Sequence, residues 1–183
     1  MQTITIGLDI AKAVFQVHME NGQGQVVKQR RLRRAQVKPF FKKLPACVIG
    51  IEACGSSHYW ARVLQGLGHQ VRLIPAAYVK PFVRRNKTDA RDAAAICTAL
   101  KQFDMRFVPV KSPEQQASRS LERSRELLVR QHTQLCNSLR SQIAEHGIIA
   151  AKGRRGFAAL IQLLDSGDAR LPESLIAVLQ VLR

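Results

Sequence analysis

The chain has 183 residues, of which 29 are Lys or Arg and 13 are Asp or Glu, so its formal net charge is +16. An apolar fraction of 46% is too high for a disordered basic tail and indicates a folded chain with a real core. No apolar run approaches the roughly 18 residues that cross a bilayer, and the first residues lack the pattern of a signal peptide. We therefore expect a cytoplasmic protein with no membrane partner.

The first 75 residues are predicted to form a sheet with helices packed on it. Alternating apolar residues, a continuous apolar run and a glycine-containing turn at residues 21–24 indicate strands at 3–9, 13–19, 25–32, 48–51 and 70–74. The predicted helices between them cover 37–44, with Pro39 in its first turn, and 57–67, capped within Gly55-Ser56-Ser57. Three hairpin-linked strands followed by strand–helix units favour an α/β domain with a mixed sheet.

The remainder of the chain is predicted to be helical. A helix over 89–102 is followed by an extended, Pro-containing connector at 107–113, which we take as the domain boundary, so the predicted domains are 1–108 and 109–183. Residues 114–146 contain no Pro or Gly and predict one long helix. The Gly153-Arg154-Arg155-Gly156 segment is expected to interrupt the helical pattern, before helices at 157–164 and from Pro172 onward.

The long helix carries leucines at a heptad spacing. Leu121, Leu128 and Leu135 recur every seven residues, which is typical of helices that pair in a coiled coil. The heptads are imperfect because polar residues fill some seam positions. A helix that lies on its own domain is the alternative.

The positive charge is concentrated in two clusters. Eight basic residues and no acidic one lie between Lys28 and Lys43, and a second cluster between Lys80 and Arg91 surrounds Asp89. Lys and Arg that neutralise phosphates gain affinity by releasing counterions, so the charge favours a nucleic-acid partner. A solvated, solubilising surface is the alternative.

Four carboxylates stand out near these clusters in the sequence. Asp9 and Glu52 each follow an apolar strand, where an ionised side chain needs a partner, and Asp89 and Asp92 lie on one face at the start of a helix. Four converging carboxylates would repel one another, and a pair of divalent ions relieves that repulsion. Mg²⁺ takes one or two carboxylates per ion, and two ions can assist the displacement at a phosphodiester. The pattern therefore predicts a site for two Mg²⁺ ions.

These acids lie in three short segments: GLDIAK at 7–12, IEACG at 51–55 and NKTDARDA at 86–93. In order and spacing the segments resemble the DEDD transposases of bacterial insertion sequences, which are relatives of the Piv-type invertases. The resemblance implies a RuvC-like ribonuclease-H fold followed by a coiled-coil helical region that forms a homodimer or higher homo-oligomer. It implies that Asp9, Glu52, Asp89 and Asp92 are the metal-binding catalytic tetrad. It further implies DNA recombination guided by a structured bridge RNA, in a bacterial cytoplasm.

The implied polyanions are therefore DNA and a structured guide RNA. The residues predicted to contact them are Lys12, Arg30, Arg31, Arg33, Arg34, Arg84, Arg85, Lys87 and Arg91. Which of these basic residues would face RNA and which DNA is left open at this stage.

Members of this family continue into a C-terminal domain with a nucleophilic serine, and no serine of this chain matches it. We expect the chain to be the N-terminal portion of such a recombinase. Two other functions remain open: a nucleic-acid-binding and dimerisation module without its own turnover, and a RuvC-like resolvase of four-way junctions. The module would bind nucleic acid without metal, whereas the resolvase would cleave junctions.

Overall fold

The structure, a computed structural model, describes residues 4–83 and 89–181, with Asp89 described only as the first residue of a helix. The chain divides into two compact units, Met1–Pro113 and Glu114–Arg183. The domain boundary between residues 108 and 109 stays a prediction. None of the helices in the described ranges combines the length and the apolar character that a membrane span needs.

The first unit contains a five-stranded mixed sheet with the order β3-β2-β1-β4-β5. Strand β1 is antiparallel to β2, and β2 to β3, whereas β4 is parallel to both β1 and β5. The strands are β1 (Thr5–Ile10), β2 (Val14–Glu20), β3 (Val26–Arg33), β4 (Val48–Glu52) and β5 (Gln70–Ile74). The prediction of an α/β domain with a mixed sheet and flanking helices is confirmed.

Helices cover the two faces of this sheet. They are α1 (Arg34–Lys42), α2 (Ser57–Gln65), α3 (Ala76–Val79) and α4 (Asp89–Leu100), with a 3-10 turn at Lys80–Phe82 after α3. On one face Phe15 packs edge-on against Trp60 of α2, with 5.0 Å between the ring centroids, and Phe41 of α1 is fully buried in the same cluster. Helix α4 lies on the opposite face, so the apolar core extends on both sides of the central strands.

The predicted hairpin turn between β2 and β3 is present. The Asn21 side-chain Oδ1 accepts hydrogen bonds from the backbone N–H groups of Gln23 and Gln25, at 3.0 and 2.9 Å. Gly24 has a φ of +79°, a conformation that residues with a side chain rarely adopt. Local side-chain chemistry therefore determines this turn.

Two predicted helix boundaries are wrong. Helix α1 begins at Arg34, so Pro39 lies inside the helix instead of in its first turn. The reason is that the Gln36 side chain accepts a hydrogen bond from the backbone N–H of Arg33 at 2.8 Å and so caps an earlier start. In the second unit the Gly153-Arg154-Arg155-Gly156 segment, predicted as an interruption, is the first turn of a helix.

The second unit consists of α5 (Pro113–Ala144), α6 (Gly153–Ser166) and α7 (Glu173–Val181). The long helix is confirmed; at about 1.5 Å per residue its 32 residues span about 48 Å. Only its C-terminal end enters the core of this unit, where Leu139 and Ile143 are fully buried against α6 and α7. Residues 117–135 are exposed on every face, including Leu121, Leu128 and Leu135.

Candidate active site

Two of the predicted carboxylates lie side by side at the C-terminal ends of two central strands, β1 and β4. Leu8 of β1 pairs with Ile51 of β4 in parallel register, so the next residues along the two strands, Asp9 and Glu52, are level with each other. Neighbouring strands lie about 4.8 Å apart, and residues at the same register position point to the same face. Both residues are half-buried. The strand ends thus place two acids beside each other on the face that α4 covers.

Helix α4 packs closely on that face because glycines, Gly7 of β1 and Gly50 of β4, lie beneath it. A Cβ atom on Gly7 would lie 2.0 Å from the backbone oxygen of Ala93 and 2.7 Å from the backbone nitrogen of Cys97. Asp92 precedes Ala93 in α4 and is half-buried, and its Oδ1 atom has almost no solvent-accessible surface. The close contact at Gly7 therefore places a third acid near the strand ends.

The three acids line one cavity of about 570 Å³. Cys54 and Lys80 also line it, and its apolar wall consists of Ile10, Ala76, Val79 and Val83. Asp89 begins α4 three residues before Asp92, but its side chain lies outside the described residues. The structure thus brings Asp9, Glu52 and Asp92 together, as the sequence predicts.

Sequence reasoning missed two residues of this cavity. Lys80 belongs to the second basic cluster, and it is the adjoining short helix and 3-10 turn that bring it among the acids. Although Cys54 as a whole is exposed, desolvation of its thiol, followed by the negative charges of Glu52 and Asp9, raises its pKa to about 11. The two strand-end carboxylates are therefore close enough to Cys54 to disfavour its thiolate electrostatically.

The donor chemistry of the cavity fits a hard divalent ion. Carboxylate oxygens are the protein ligands that Mg²⁺ prefers, and Mg²⁺ keeps several waters instead of demanding a closed protein cage. Within the part of the chain that the structure describes, no group of three or more His, Cys, Asp or Glu side chains is close enough to hold one ion. The described acids therefore fit ions that each take one or two carboxylates and complete their shells with water.

The predicted nucleic-acid contacts fall on different surfaces. Asp9 pairs with Gln16 of β2, and Gln16 pairs with Arg31 of β3, so Arg31 lies in the same row and on the same face as Asp9. Arg33, two residues along, shares that face, whereas Arg30 lies on the opposite one. The sheet thus separates the β3 arginines that the sequence groups together.

The other basic residues are placed as follows. Lys12 is exposed in the loop after β1, and its backbone oxygen accepts a hydrogen bond from Arg34 at 3.4 Å. The Arg34 guanidinium also lies 5.3 Å from the centre of the Trp60 ring, which anchors it. Arg91 is exposed on α4. Arg84, Arg85 and Lys87 lie outside the described residues.

Comparison of the sequence with known proteins identifies a family model and several relatives that it matches. The sequence model of the DEDD transposases of the IS110 type, described as "Transposase", matches residues 6–148. A probable family 20 transposase of Pseudomonas aeruginosa is 52% identical over 177 residues, which are 97% of this chain and 52% of that protein. The transposase for insertion sequence element IS1111A of Coxiella burnetii is 37% identical over 164 residues, 90% of this chain and 45% of that protein.

Similarity to solved structures is weaker. Thermus thermophilus RuvC covers 58% of this chain and 100% of its own, with a TM-score of 0.44 and 7% identity. The same protein in complex with a Holliday junction substrate gives a TM-score of 0.41 at 8% identity, over 58% of this chain and 99% of its own. The chain spans about half the length of the curated relatives it matches.

Proposed function

The chain belongs to the IS110 family of DEDD transposases, and we propose that it carries the divalent-metal site at which such a transposase cleaves DNA. The observation that carries the proposal is the convergence of Asp9, Glu52 and Asp92 on one cavity. Asp89, which begins α4 three residues before Asp92, completes the proposed tetrad.

Each acid has a distinct part in this proposal. Asp9 and Glu52 would hold ions at the strand ends, where the rigid sheet limits their movement, and Asp89 and Asp92 would bind from α4. A pair of Mg²⁺ ions at such a site supplies charge stabilisation on the attacking and leaving oxygens of a phosphodiester. Arg31 and Arg33, which share the face of Asp9, would contact the backbone of the DNA strand beside the site.

Metal binding is the direct test. Calorimetric titration of Mg²⁺ or Mn²⁺ into this chain should show binding. Asp9→Asn and Asp92→Asn should each weaken it by more than the roughly tenfold that loss of an outer-shell partner costs. Asp104→Asn is the matched control, because Asp104 is an exposed aspartate that lines a different cavity. A titration that is unchanged in Asp9→Asn and Asp92→Asn would contradict the metal site.

We further propose that residues 1–108 form the catalytic domain and that the chain acts on DNA together with a structured guide RNA. The support is the resemblance of the three acidic segments and the +16 charge, which suits two polyanions. Transposition of DNA would be the activity of the whole protein. A strand-cleavage assay with a full-length relative, with and without its RNA, tests this part.

We propose that the helical region, residues 109–183, forms a homodimer or a higher homo-oligomer. Its support is the exposed stretch of α5, where Leu121 and Leu128 are 74% and 64% exposed although apolar residues at heptad spacing favour burial in a helix pair. Sedimentation analysis should show a dimer or larger species for the chain and a monomer for Leu128→Glu. Gln134→Glu adds the same charge on another side of the helix and should leave the assembly intact. A monomeric parent chain would contradict the proposal.

A second function is favoured by the same exposed helix and by the basic surface of β3. In this alternative the chain binds nucleic acid and dimerises without turnover of its own. It predicts that affinity for DNA and RNA falls steeply with salt and is the same with and without Mg²⁺. Nicking of DNA by this chain in Mg²⁺, lost in Asp92→Asn, would reject this alternative.

A further inference from the structure

A second cavity lies within the helical unit, between the C-terminal half of α5 and the start of α6. Its volume is about 560 Å³, within the range of about 300–1,000 Å³ typical of ligand sites. The polar side chains that line it come from both helices and the loop between them: His132, Thr133, Asn137, Arg140, Lys152 and Arg154. Three of these, Arg140, Lys152 and Arg154, are basic, and no carboxylate lines the cavity.

The loop that forms one wall is held in a defined position. The Arg140 Nε group donates a hydrogen bond to the backbone oxygen of Ala151 at 3.2 Å, and its Nη1 group donates one to Asn137 Oδ1 at 3.0 Å. From the other side, Gly156 approaches so closely that a Cβ there would lie 1.9 Å from the Ala151 oxygen. The backbone is therefore fixed before Lys152 and Arg154 extend from it.

The cations of this cavity have no acidic partner among the residues that the structure describes. Among the described residues, Arg140, Lys152 and Arg154 form no ion pair, and the partners of Arg140 are a carbonyl and a neutral amide. Gly153, the first residue of α6, also lines the cavity, so backbone N–H groups at the start of the helix border it. Positive charge, amide donors and the Asn137 and Thr133 side chains together provide the donors that a phosphate accepts.

We propose that this cavity binds a phosphate of a polynucleotide backbone, and so forms a nucleic-acid contact separate from the carboxylate site. Lys152 and Arg154 contribute the charge, and Arg140 orients the loop. A contact to a phosphodiester carries no direct sequence information, so we expect this contact to be independent of base sequence. The contact uses no residue of the proposed metal site.

The test compares two adjacent arginines. Arg154 lines the cavity and Arg155 does not, and both are exposed, so Arg154→Gln and Arg155→Gln remove the same charge from neighbouring positions. Binding of labelled 20-nucleotide single-stranded DNA and RNA is measured by anisotropy in EDTA over a salt series. Arg154→Gln should weaken binding about three- to tenfold and lower the slope of log K against log salt by about one. Arg155→Gln should have a clearly smaller effect.

Further arms separate the sources of phosphate and the two proposed sites. Lys152→Gln should weaken oligonucleotide binding as Arg154→Gln does, and inorganic phosphate at millimolar concentration should compete only weakly. Equal losses in Arg154→Gln and Arg155→Gln would overturn the proposal, since they would indicate general surface charge. Binding of inorganic phosphate alone, with oligonucleotide affinity unchanged in Arg154→Gln, would also overturn it. Because EDTA removes metal, failure of the carboxylate site leaves these results unaffected.

Discussion

Replacement of Gly7 by alanine should separate helix α4 from the sheet. The added Cβ would lie 2.0 Å from the Ala93 oxygen and 2.7 Å from the Cys97 nitrogen, and both are backbone atoms that no rotamer change can move. Ordinary contact begins near 3.4 Å, so the helix must retreat by more than about 1 Å. Asp92, next to Ala93 in the sequence, would retreat with it.

The expected cost follows from this overlap. Overpacking a core costs about 1–3 kcal/mol, and a clash with backbone atoms favours the upper part of that range. Alanine also lowers the conformational entropy of the unfolded chain, which stabilises the folded state by only about 0.4–1 kcal/mol. At roughly 4 °C per kcal/mol for a unit of about 100 residues, a net loss near 2 kcal/mol lowers the melting temperature by about 8 °C.

Two other glycines provide a graded control in a thermal denaturation assay. A Cβ on Gly50 would meet side-chain atoms of Leu100 and Ile96 at 3.1–3.3 Å, so Gly50→Ala should cost less than Gly7→Ala. A Cβ on Gly55 meets nothing within 4 Å, so Gly55→Ala should leave the melting temperature nearly unchanged. If Gly7→Ala and Gly55→Ala had the same melting temperature, the assigned contact between β1 and α4 would be wrong.

Three further predictions concern other parts of the chain. Gly156→Ala should destabilise the helical unit by about 1–3 kcal/mol in chemical denaturation, because its Cβ would overlap the backbone of Ala151; an unchanged unfolding midpoint would refute this. Burial raises the pKa of Glu20, but hydrogen bonds from Lys101 and His18 outweigh it and hold the pKa below its ordinary value of 4.5. The stabilisation is therefore complete above pH 4.5 and is lost as the pH falls through the lowered pKa, so the difference in melting temperature between the parent chain and Glu20→Gln should shrink in acid. Cys54, with its pKa of about 11, should react with iodoacetamide at pH 7 more slowly than an ordinary exposed thiol, whose pKa is about 8.5, in metal-free buffer.

Much of the first unit was predictable because its elements depend on local pattern. The alternation in β1 and β2 and the Asn21 turn identify the hairpin, since a short asparagine side chain and a glycine are enough to form it. The helix boundaries were less predictable. Helix α1 starts early through the Gln36 cap, and the start of α6 depends on the approach of the loop at Ala151.

The candidate site shows the same division. Residue types and segments pointed to Asp9, Glu52 and Asp92, but only the strand register and the contact at Gly7 bring them to one cavity. In the sequence Lys80 is simply a member of a basic cluster. Helix α3 and the 3-10 turn, neither of which was predicted, place it beside the acids. Likewise, the sequence groups Arg30 with Arg31, whereas the pleat of β3 puts them on opposite faces.

The sequence alone was sufficient for the α/β class, the long helix and the excess of positive charge, and it nominated the candidate acids, because these follow from composition, periodicity and short segments. Tertiary structure decided which acids meet, which arginines share their face, and that Arg140, Lys152 and Arg154 surround a second cavity. The physical reason is that convergence depends on strand register and on backbone contacts between residues far apart in the chain. The sequence gives little sign of such contacts. The contact of Gly7 with Ala93, for example, corresponds in the sequence only to a glycine within a strand.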